Sequence, residues 1–215
     1  SGLGKTRVSN LLQSRFQWFH YSVDYRIGTR YLGEHIVDNF KQEAMKNSFL
    51  RGLLLSDSIY ISSNLTFNDL SPLSTYLGAP GSSSGGGIEI TTYIKRQQQH
   101  REAEIASVLD TKKFIEKSTE IYGYKNFVCD TSGSICEVVN PLERSDPLLN
   151  HLSSNTLIVL IQGLEKHNQE LIRRFSEDPK PIYYNTSFLQ KKWQSFKNLH
   201  GITDEEVNPR EFALF

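Results

Sequence analysis

The first residues of the sequence, Ser1-Gly2-Leu3-Gly4-Lys5-Thr6, have the types and spacing of a phosphate-binding turn. They match the second half of the pattern G-x-x-x-x-G-K-[ST], in which glycines let backbone N–H groups close around phosphate oxygens. In this chemistry the Lys5 ammonium reaches the terminal phosphates, and the Thr6 hydroxyl is a ligand of Mg²⁺. The pattern therefore predicts a site for a nucleoside triphosphate, taken as ATP, with Mg²⁺. Its residues are Ser1, Gly2, Leu3, Gly4, Lys5, Thr6 and Arg7.

The sequence after this turn favours the same interpretation. Val8, Leu11, Leu12 and Phe16 recur at helical spacing, and a helix N-terminus adds positive partial charge next to the turn. The leading glycine of the pattern and the strand that should come before it do not precede Ser1, so we expect the natural chain to begin earlier. An ordinary glycine turn before a helix is the alternative.

A second candidate group follows the aromatic, β-prone run at residues 17–23, which predicts a strand. Asp24 ends this run, and a carboxylate there can accept the proton of a substrate hydroxyl that attacks the γ-phosphate. Arg26 and Arg30 can hold an anionic group of the substrate through paired hydrogen bonds. The alternative is an aspartate that starts a helix, with two solvated arginines.

A third group lies where another short apolar run ends in Asp130. Ligands of open α/β sheets bind at the carboxyl ends of strands, so Asp130 is predicted to support Mg²⁺ through water. Thr131, Ser132 and Gly133 offer hydroxyl and N–H groups to a polar substrate. A turn aspartate without a ligand is the alternative.

The last candidate group consists of Arg173 and Arg174, on a helix predicted after residues 157–161, together with Lys180. Arginines that arrive from a closing segment can neutralise the charge on a transferred phosphoryl group. Arginines near a helix C-terminus also interact favourably with the helix dipole, which is the alternative explanation.

Strands and helices alternate along the sequence. Besides the runs before Asp24 and Asp130, strands are predicted at residues 57–63 and 157–161, of which the second is the clearest buried strand. Helical spacing predicts helices at residues 31–45, 48–55, 93–109, 111–122 and 164–174. Such alternation predicts a three-layer α/β/α fold with a mostly parallel sheet.

The length of 215 residues predicts a single domain over residues 1–215. Within it, residues 57–126 read as a helical insertion and residues 164–200 as a lid-like region. Residues 78–87 consist of Gly, Ser, Ala and Pro, which predicts a flexible loop.

Composition limits the classes of partner. Lys+Arg and Asp+Glu number 24 each, so the net charge is zero and no general field attracts nucleic acid or an anionic membrane. No apolar run approaches the roughly 20 residues that cross a bilayer. Cys129 and Cys136 are too few for a disulfide framework, and free thiols suit a reducing cytoplasm.

The order of these motifs resembles the P-loop small-molecule kinases, which include nucleoside monophosphate and shikimate kinases. Gly4-Lys5-Thr6 is similar to their phosphate loop, Asp24 to their acidic residue on the substrate side, and residues 130–134 to a turn that lines their acceptor pocket. Ser22 stands where shikimate kinases carry the first of two aspartates, and Gly133 is a single glycine where they carry several.

Residues 24–36 also resemble bacterial proteins labelled as ATPases. Together these resemblances imply a P-loop NTPase fold with a helical lid or insertion. They also imply a Mg²⁺-dependent phosphotransferase, a kinase, that takes ATP and a small acceptor bearing a hydroxyl or phosphate group. An ATPase or GTPase that drives a conformational or partner-binding cycle is one alternative. A nucleotide-binding regulatory module without turnover is the other.

Overall fold

The computed structural model describes residues 2–140, 142–143, 145–177, 179 and 182–215. Its two strands within these ranges are β1 (Trp18–Ser22) and β2 (Asn126–Asp130). The α-helices are α1 (Lys5–Phe16), α2 (Val23–Arg26), α3 (Gly33–Lys46), α4 (Ser48–Leu55), α5 (Ser71–Leu77), α6 (Ile90–Leu109), α7 (Thr111–Glu120), α8 (Ile135–Val138), α9 (Pro147–Asn155), α10 (Glu165–Glu177), α11 (Thr186–His200) and α12 (Pro209–Leu214). A π-helical turn (Ile27–Tyr31) joins α2 to α3, and 3₁₀ turns occupy Ser83–Gly85 and Asp204–Glu206.

The predicted three-layer α/β/α P-loop fold with a mostly parallel sheet is wrong, because the described part of the chain is largely helical. Its sheet consists of β1 and β2 alone, which pair in parallel with Trp18 opposite Asn126 and Ser22 opposite Asp130. The strands predicted before Asp24 and Asp130 are confirmed as β1 and β2.

The strand predicted at residues 157–161 is absent from the structure. These residues have no assigned secondary structure, and Leu157 and Leu160 are 90% and 84% exposed. An apolar run indicates a preference for burial, but a strand also needs a neighbour that satisfies its backbone N–H and C=O groups. The composition of residues 157–161 does not show whether such a neighbouring strand exists.

The strand predicted at residues 57–63 is also absent, although its pattern has a physical basis. Partly buried and exposed residues alternate from 59 to 65, as they would in a strand. This stretch packs on helical structure instead of pairing with a strand. Leu65 at its end belongs to the partly buried residues of the main core, and its side chain lies over Gly28 of the π-helical turn.

The helices predicted at residues 31–45, 48–55, 93–109, 111–122 and 164–174 are confirmed, as α3, α4, α6, α7 and α10. For residues 31–45 the signal was apolar side chains at helical spacing. The region 57–126 thus contains helices, as the sequence suggested. No helix within the described residues has both the length and the apolar character required to cross a membrane.

Helix α6 connects two buried apolar clusters. Its C-terminal half contributes Ala103 and Val108 to the first cluster, which also includes Tyr21, Val23, Ile27 and Ile36. Its N-terminal half contributes to the second cluster, which includes Tyr93, Leu189, Trp193, Phe196 and Phe212 from α6, α11 and α12. The polar middle of α6 is therefore held between two apolar regions.

The glycine-rich residues 78–87, which the composition predicts to be a flexible loop, make packed contacts at their beginning. Pro80 and Gly81 are buried, and the Gly81 N–H donates to the Ile88 carbonyl at 2.9 Å. A Cβ on Gly81 would lie 2.6 Å from the Val207 carbonyl oxygen. Glycine is needed here because the chain passes so close to residues 207–209.

Candidate functional site

The turn before α1 has the backbone conformation that its glycines predict. Gly2 and Gly4 have φ angles of 84° and 93°, a region that L side chains rarely adopt. Helix α1 begins directly after Gly4, at Lys5. Ser1, predicted as part of this turn, lies outside the described residues.

No described side chain caps the N-terminus of α1, as is also the case for α3, α6 and α7. At other helices Asn47, Asp146 and Asn185 each accept hydrogen bonds from backbone N–H groups of the helix that follows them. Gly4 has no side chain to do so, and the first turn of α1 contains no acidic residue. The first N–H groups of α1 and their partial positive charge therefore have no side-chain acceptor among the described residues.

Helix α10 lies over this turn. A Cβ on Gly2 would be 2.5 Å from Leu171 Cδ2, and one on Gly163 would be 2.8 Å from Leu3 Cδ2. The lid-like region predicted at residues 164–200 therefore contacts the predicted phosphate-binding turn at its first helix. Three of its residues, 178, 180 and 181, lie outside the described ranges.

Arg173 and Arg174 are exposed on α10 and are engaged within that helix. The Arg173 Nε donates to Glu170 at 2.9 Å, and the Arg174 Nε donates to the same carboxylate at 2.7 Å. A further bond joins Arg173 to Glu177 at 2.5 Å. These ion pairs join residues three or four positions apart, so they would have to open before either arginine could reach a phosphate.

The sheet brings two of the predicted carboxylates together. Asp130 ends β2 opposite Ser22, and the Ser22 hydroxyl accepts from Tyr25 N–H as the chain turns into α2. Asp24 stands in the first turn of α2. Burial, and then the neighbouring Asp130 charge, raises the pKa of Asp24 to about 6, whereas Lys5 acts in the opposite direction. Asp24 is thus within electrostatic reach of both Lys5 and Asp130, which the sequence named separately.

Glu104 joins this group, although the sequence analysis did not identify it. It lies on α6 and is fully buried, and it accepts hydrogen bonds from the hydroxyls of Ser132 and of Ser134, the second at 2.7 Å. Burial raises its pKa to about 7, against the effect of the two hydroxyls, and the Asp24 charge adds to the rise. Ser132, which the sequence predicted to bind substrate, therefore donates a hydrogen bond to Glu104.

Two buried histidines stand next to these carboxylates. His20 Nε2 lies 3.8 Å from Asp130 Oδ2, and His100 Nδ1 lies 3.8 Å from Glu104 Oε2. Burial lowers the pKa of His100 to about 4, so its ring is neutral at pH 7. Neither ring nitrogen of His20, nor the Nδ1 of His100, has a hydrogen-bond partner among the described residues.

A cavity of about 360 Å³ opens beside this group. Its polar lining residues include Asp24, His100 and Glu137 of α8, and Gly133 also lines it. The remainder of its wall is largely apolar or aromatic and consists of Leu70, Leu73, Ser74, Leu77, Ser134, Cys136, Ile182, Tyr183 and Tyr184. The cavity is thus in contact with the carboxylate of Asp24 and is large enough for a small organic molecule.

The other predicted substrate-binding residues are placed differently. Arg26 donates from Nε to Asp110 Oδ2 at 2.8 Å, which turns its guanidinium toward the junction of α6 and α7. Arg30 is exposed on the π-helical turn, and Thr131 is half-buried beside Asp130. Of these three, none is among the described residues that line the cavity.

The donor atoms available here suit Mg²⁺ bound together with a triphosphate. Within the described ranges, no three His, Cys, Asp or Glu side chains are arranged to hold a metal ion by themselves. Mg²⁺ is usually held by one or two carboxylates, substrate phosphates and waters, so a complete protein cage is not required. The Thr6 hydroxyl and the Asp130 carboxylate are hard oxygen donors of this kind. The residues present therefore fit the ion.

Comparison of the chain with protein-family models, curated proteins and solved structures gave no match.

Proposed function

We propose that the chain binds ATP with Mg²⁺ at the turn before α1 and transfers the γ-phosphoryl group to a hydroxyl of a small molecule. The observation that carries this proposal is the position of Asp24. The charges of both Lys5 and Asp130 act on its carboxylate, and it lines the cavity. A triphosphate site and an acceptor site would therefore meet at one side chain.

The turn supplies the triphosphate half of the site. Backbone N–H groups after Gly4 and the ammonium of Lys5 would hold the phosphate oxygens. Thr6 and Asp130 would hold Mg²⁺, which neutralises phosphate charge when it is bound. Because α1 has no cap and no acidic residue in its first turn, nothing in that turn competes with the phosphates.

Asp24 supplies the acid–base half of the reaction. The acceptor hydroxyl oxygen forms a bond to the γ-phosphorus, and the bond between that phosphorus and the bridging oxygen of ADP breaks. The hydroxyl proton passes to Asp24, and ADP leaves with the electron pair. A raised pKa makes Asp24 a better proton acceptor than an ordinary carboxylate, while leaving it ionised at pH 7.

Helix α10 supplies a closing element in this proposal. Leu171 already packs on Gly2, so α10 would lie next to a triphosphate bound at this turn. Arg173 and Arg174 would leave Glu170 and turn to the charge that develops on the transferred group. Closure of α10 would also exclude water, which competes with the acceptor for the phosphoryl group.

The test uses the purified chain with Mg²⁺, and it first measures binding of a fluorescent ATP analogue. ADP release from ATP is then followed with and without a panel of nucleosides, nucleotides, sugars and hydroxylated acids. Stimulation by one class of compound, with phosphate recovered on it, is the expected result. Equal ADP and free phosphate under all conditions would instead identify a hydrolase, and failure to bind the analogue would refute the triphosphate site.

A further inference from the structure

The cavity beside Asp24 has chemical features that restrict its ligand. Its described lining contains two carboxylates, Asp24 and Glu137, and no Lys or Arg among the residues that the structure places there. Glu104 adds a third carboxyl group directly behind Ser134, to which it is hydrogen-bonded. A phosphate or carboxylate in this cavity would meet charges of its own sign.

Two of the cations near the cavity have other partners. Arg26 is bound to Asp110, and its Nη2 lies 2.7 Å from that carboxylate. In the proposed reaction Lys5 holds the triphosphate. Arg101 lines a neighbouring cavity together with Glu137 and Cys136, and it is not among the residues that line the cavity beside Asp24. Neither Arg26 nor Lys5 is thus available to neutralise an anionic acceptor.

A second feature of the cavity wall is independent of the carboxylates. His100 is 4% exposed, lines the cavity and has no hydrogen-bond partner for Nδ1 among the described residues. Its ring stacks on Tyr183, with the ring centroids 5.3 Å apart. The Nδ1 is buried 3.8 Å from Glu104 Oε2, and burial lowers the pKa of the ring to about 4, so His100 adds no positive charge to the cavity wall at pH 7.

The remaining wall favours an apolar molecular body. Leu73 and Leu77 of α5 face the cavity together with Ile182 and Tyr184. Glu137 influences the ionisation of both Tyr183 and Tyr184, so its carboxylate stands close to this apolar and aromatic wall. An acceptor that fills the cavity would therefore place an apolar part on the leucines and a polar part near Glu137.

We infer that the acceptor is an amino alcohol: it has an apolar body, a hydroxyl group directed to Asp24 and a protonated amine that pairs with Glu137. It carries no phosphate or carboxylate group. This inference rests on the proposed function, since it names the substrate class of the same site. It also replaces the pairing of an anionic acceptor with Arg26 and Arg30 that the sequence suggested.

The test uses three compounds that share an aromatic body and a hydroxyl group but differ in charge: phenylalaninol, 3-phenylpropanol and phenyllactate. ADP release and phosphate transfer are measured for each with the full chain, Mg²⁺ and ATP, and binding is measured by calorimetry. Phenylalaninol is expected to bind at least about 10-fold more tightly than 3-phenylpropanol, as expected for one charge-assisted hydrogen bond. Phenyllactate is expected not to bind.

Variants of the chain make the test specific to Glu137. E137Q is expected to reduce the preference for phenylalaninol by about 10-fold and to leave binding of the ATP analogue unchanged. E137K is expected to shift the preference to phenyllactate. E116Q, on the exposed face of α7, is the matched control and is expected to keep the preference of the unmodified chain.

The outcomes separate this inference from the proposed function. If the chain binds the ATP analogue but prefers phenyllactate or 3-phenylpropanol, or binds none of the three, the amino alcohol assignment is overturned and the triphosphate site stands. If the analogue does not bind, the proposed triphosphate site is refuted, and the acceptor assignment that rests on it is refuted as well. An unchanged preference in E137Q would show that Glu137 does not recognise the amine.

Discussion

Arg26 and Asp110 form an ion pair that ties α2 to the junction of α6 and α7. Both Nε and Nη2 of Arg26 lie within 2.8 Å of Asp110 Oδ2, and the Tyr31 hydroxyl donates to the same oxygen at 2.8 Å. The guanidinium also lies over the ring of Phe114, 5.0 Å from its centroid. Burial alone would raise the pKa of Asp110, but the hydrogen bonds from Tyr31 and Arg26 lower it. Such a network indicates a structural role for Arg26.

Arg26→Ala is expected to lower the free energy of unfolding by about 2–3 kcal/mol, because it leaves a partly buried carboxylate without its cation. Arg30→Ala, at an exposed position of the π-helical turn, is the matched control and should change it by less than about 0.5 kcal/mol. Urea unfolding followed by tryptophan fluorescence measures both. A variant at Arg26 with full stability but a raised KM for the acceptor would instead place Arg26 in the substrate site.

Lys5→Ala is expected to weaken binding of an ATP analogue by about 100-fold, since it removes a charge-assisted contact to the phosphates. Stability should be nearly unchanged, because Lys5 is only partly buried at the first position of α1. The measurement is a fluorescence titration with Mg²⁺ present. Lys46→Ala on the exposed end of α3 controls for the loss of one positive charge. Equal affinities of the two variants would refute the triphosphate site.

Asp24→Asn is expected to reduce phosphoryl transfer by about 100-fold or more while leaving ATP affinity unchanged, as expected for a lost general base. In the unmodified chain, the base must be ionised to accept a proton. Because the pKa of Asp24 is raised to about 6, kcat/KM should rise with pH through that value and then level off.

The control for this prediction is Asp38→Asn on the exposed side of α3, which should keep both the rate and the pH profile. Weaker ATP binding in Asp24→Asn would assign the carboxylate to the metal instead. A pH profile of the unmodified chain that is flat between pH 5 and pH 7 would remove Asp24 from the role of base.

The sequence predicted the parts of this site that depend on local pattern. The two short strands before Asp24 and Asp130, and the helix after Gly4, follow from residue types within about ten positions of each other. The number of strands in the sheet was not predictable from local pattern. Residues 157–161 have the composition of a buried strand, yet whether a strand forms depends on a partner elsewhere in the chain.

The sequence around Glu104 contains a pattern that, together with the packing of α6, could have identified it as a buried residue. Gln97, His100, Glu104 and Ser107 are spaced by three or four residues, which places them on one face of α6, and all four are buried. A polar face on a long helix normally points to solvent, so this spacing alone does not indicate burial. Only the packing of α6 between two apolar clusters, and the two serines after Asp130, turn this face inward.

Glu104→Gln is expected to change how stability depends on pH. The pKa of Glu104 rises from 4.5 to about 7 on folding, so between these values the folded state binds more protons than the unfolded state. The free energy of unfolding therefore falls as pH rises through this window, by on the order of 3 kcal/mol. Glutamine keeps an acceptor for Ser134 but does not ionise, so the variant should be the more stable protein at pH 8.

Urea unfolding at pH 5 and pH 8 measures this difference. The unmodified chain should lose more stability between the two pH values than Glu104→Gln does. Glu116→Gln, at an exposed position of α7, should follow the unmodified chain. Parallel pH dependences for Glu104→Gln and the unmodified chain would show that Glu104 is not held in a charge-excluding environment.

Gly81→Ala tests whether the glycine-rich residues 78–87 are packed in solution. The φ angle of Gly81 is 146°, and an added Cβ would lie 2.6 Å from the Val207 carbonyl oxygen and 2.8 Å from Pro209 Cγ. Backbone strain and overpacking together predict a loss of about 2–4 kcal/mol in the free energy of unfolding. Gly52→Ala is the matched control, because a Cβ there meets open space within α4, and it should gain about 0.5–1 kcal/mol. Urea unfolding of both variants decides the matter: a flexible loop without packing would tolerate Gly81→Ala with almost no change.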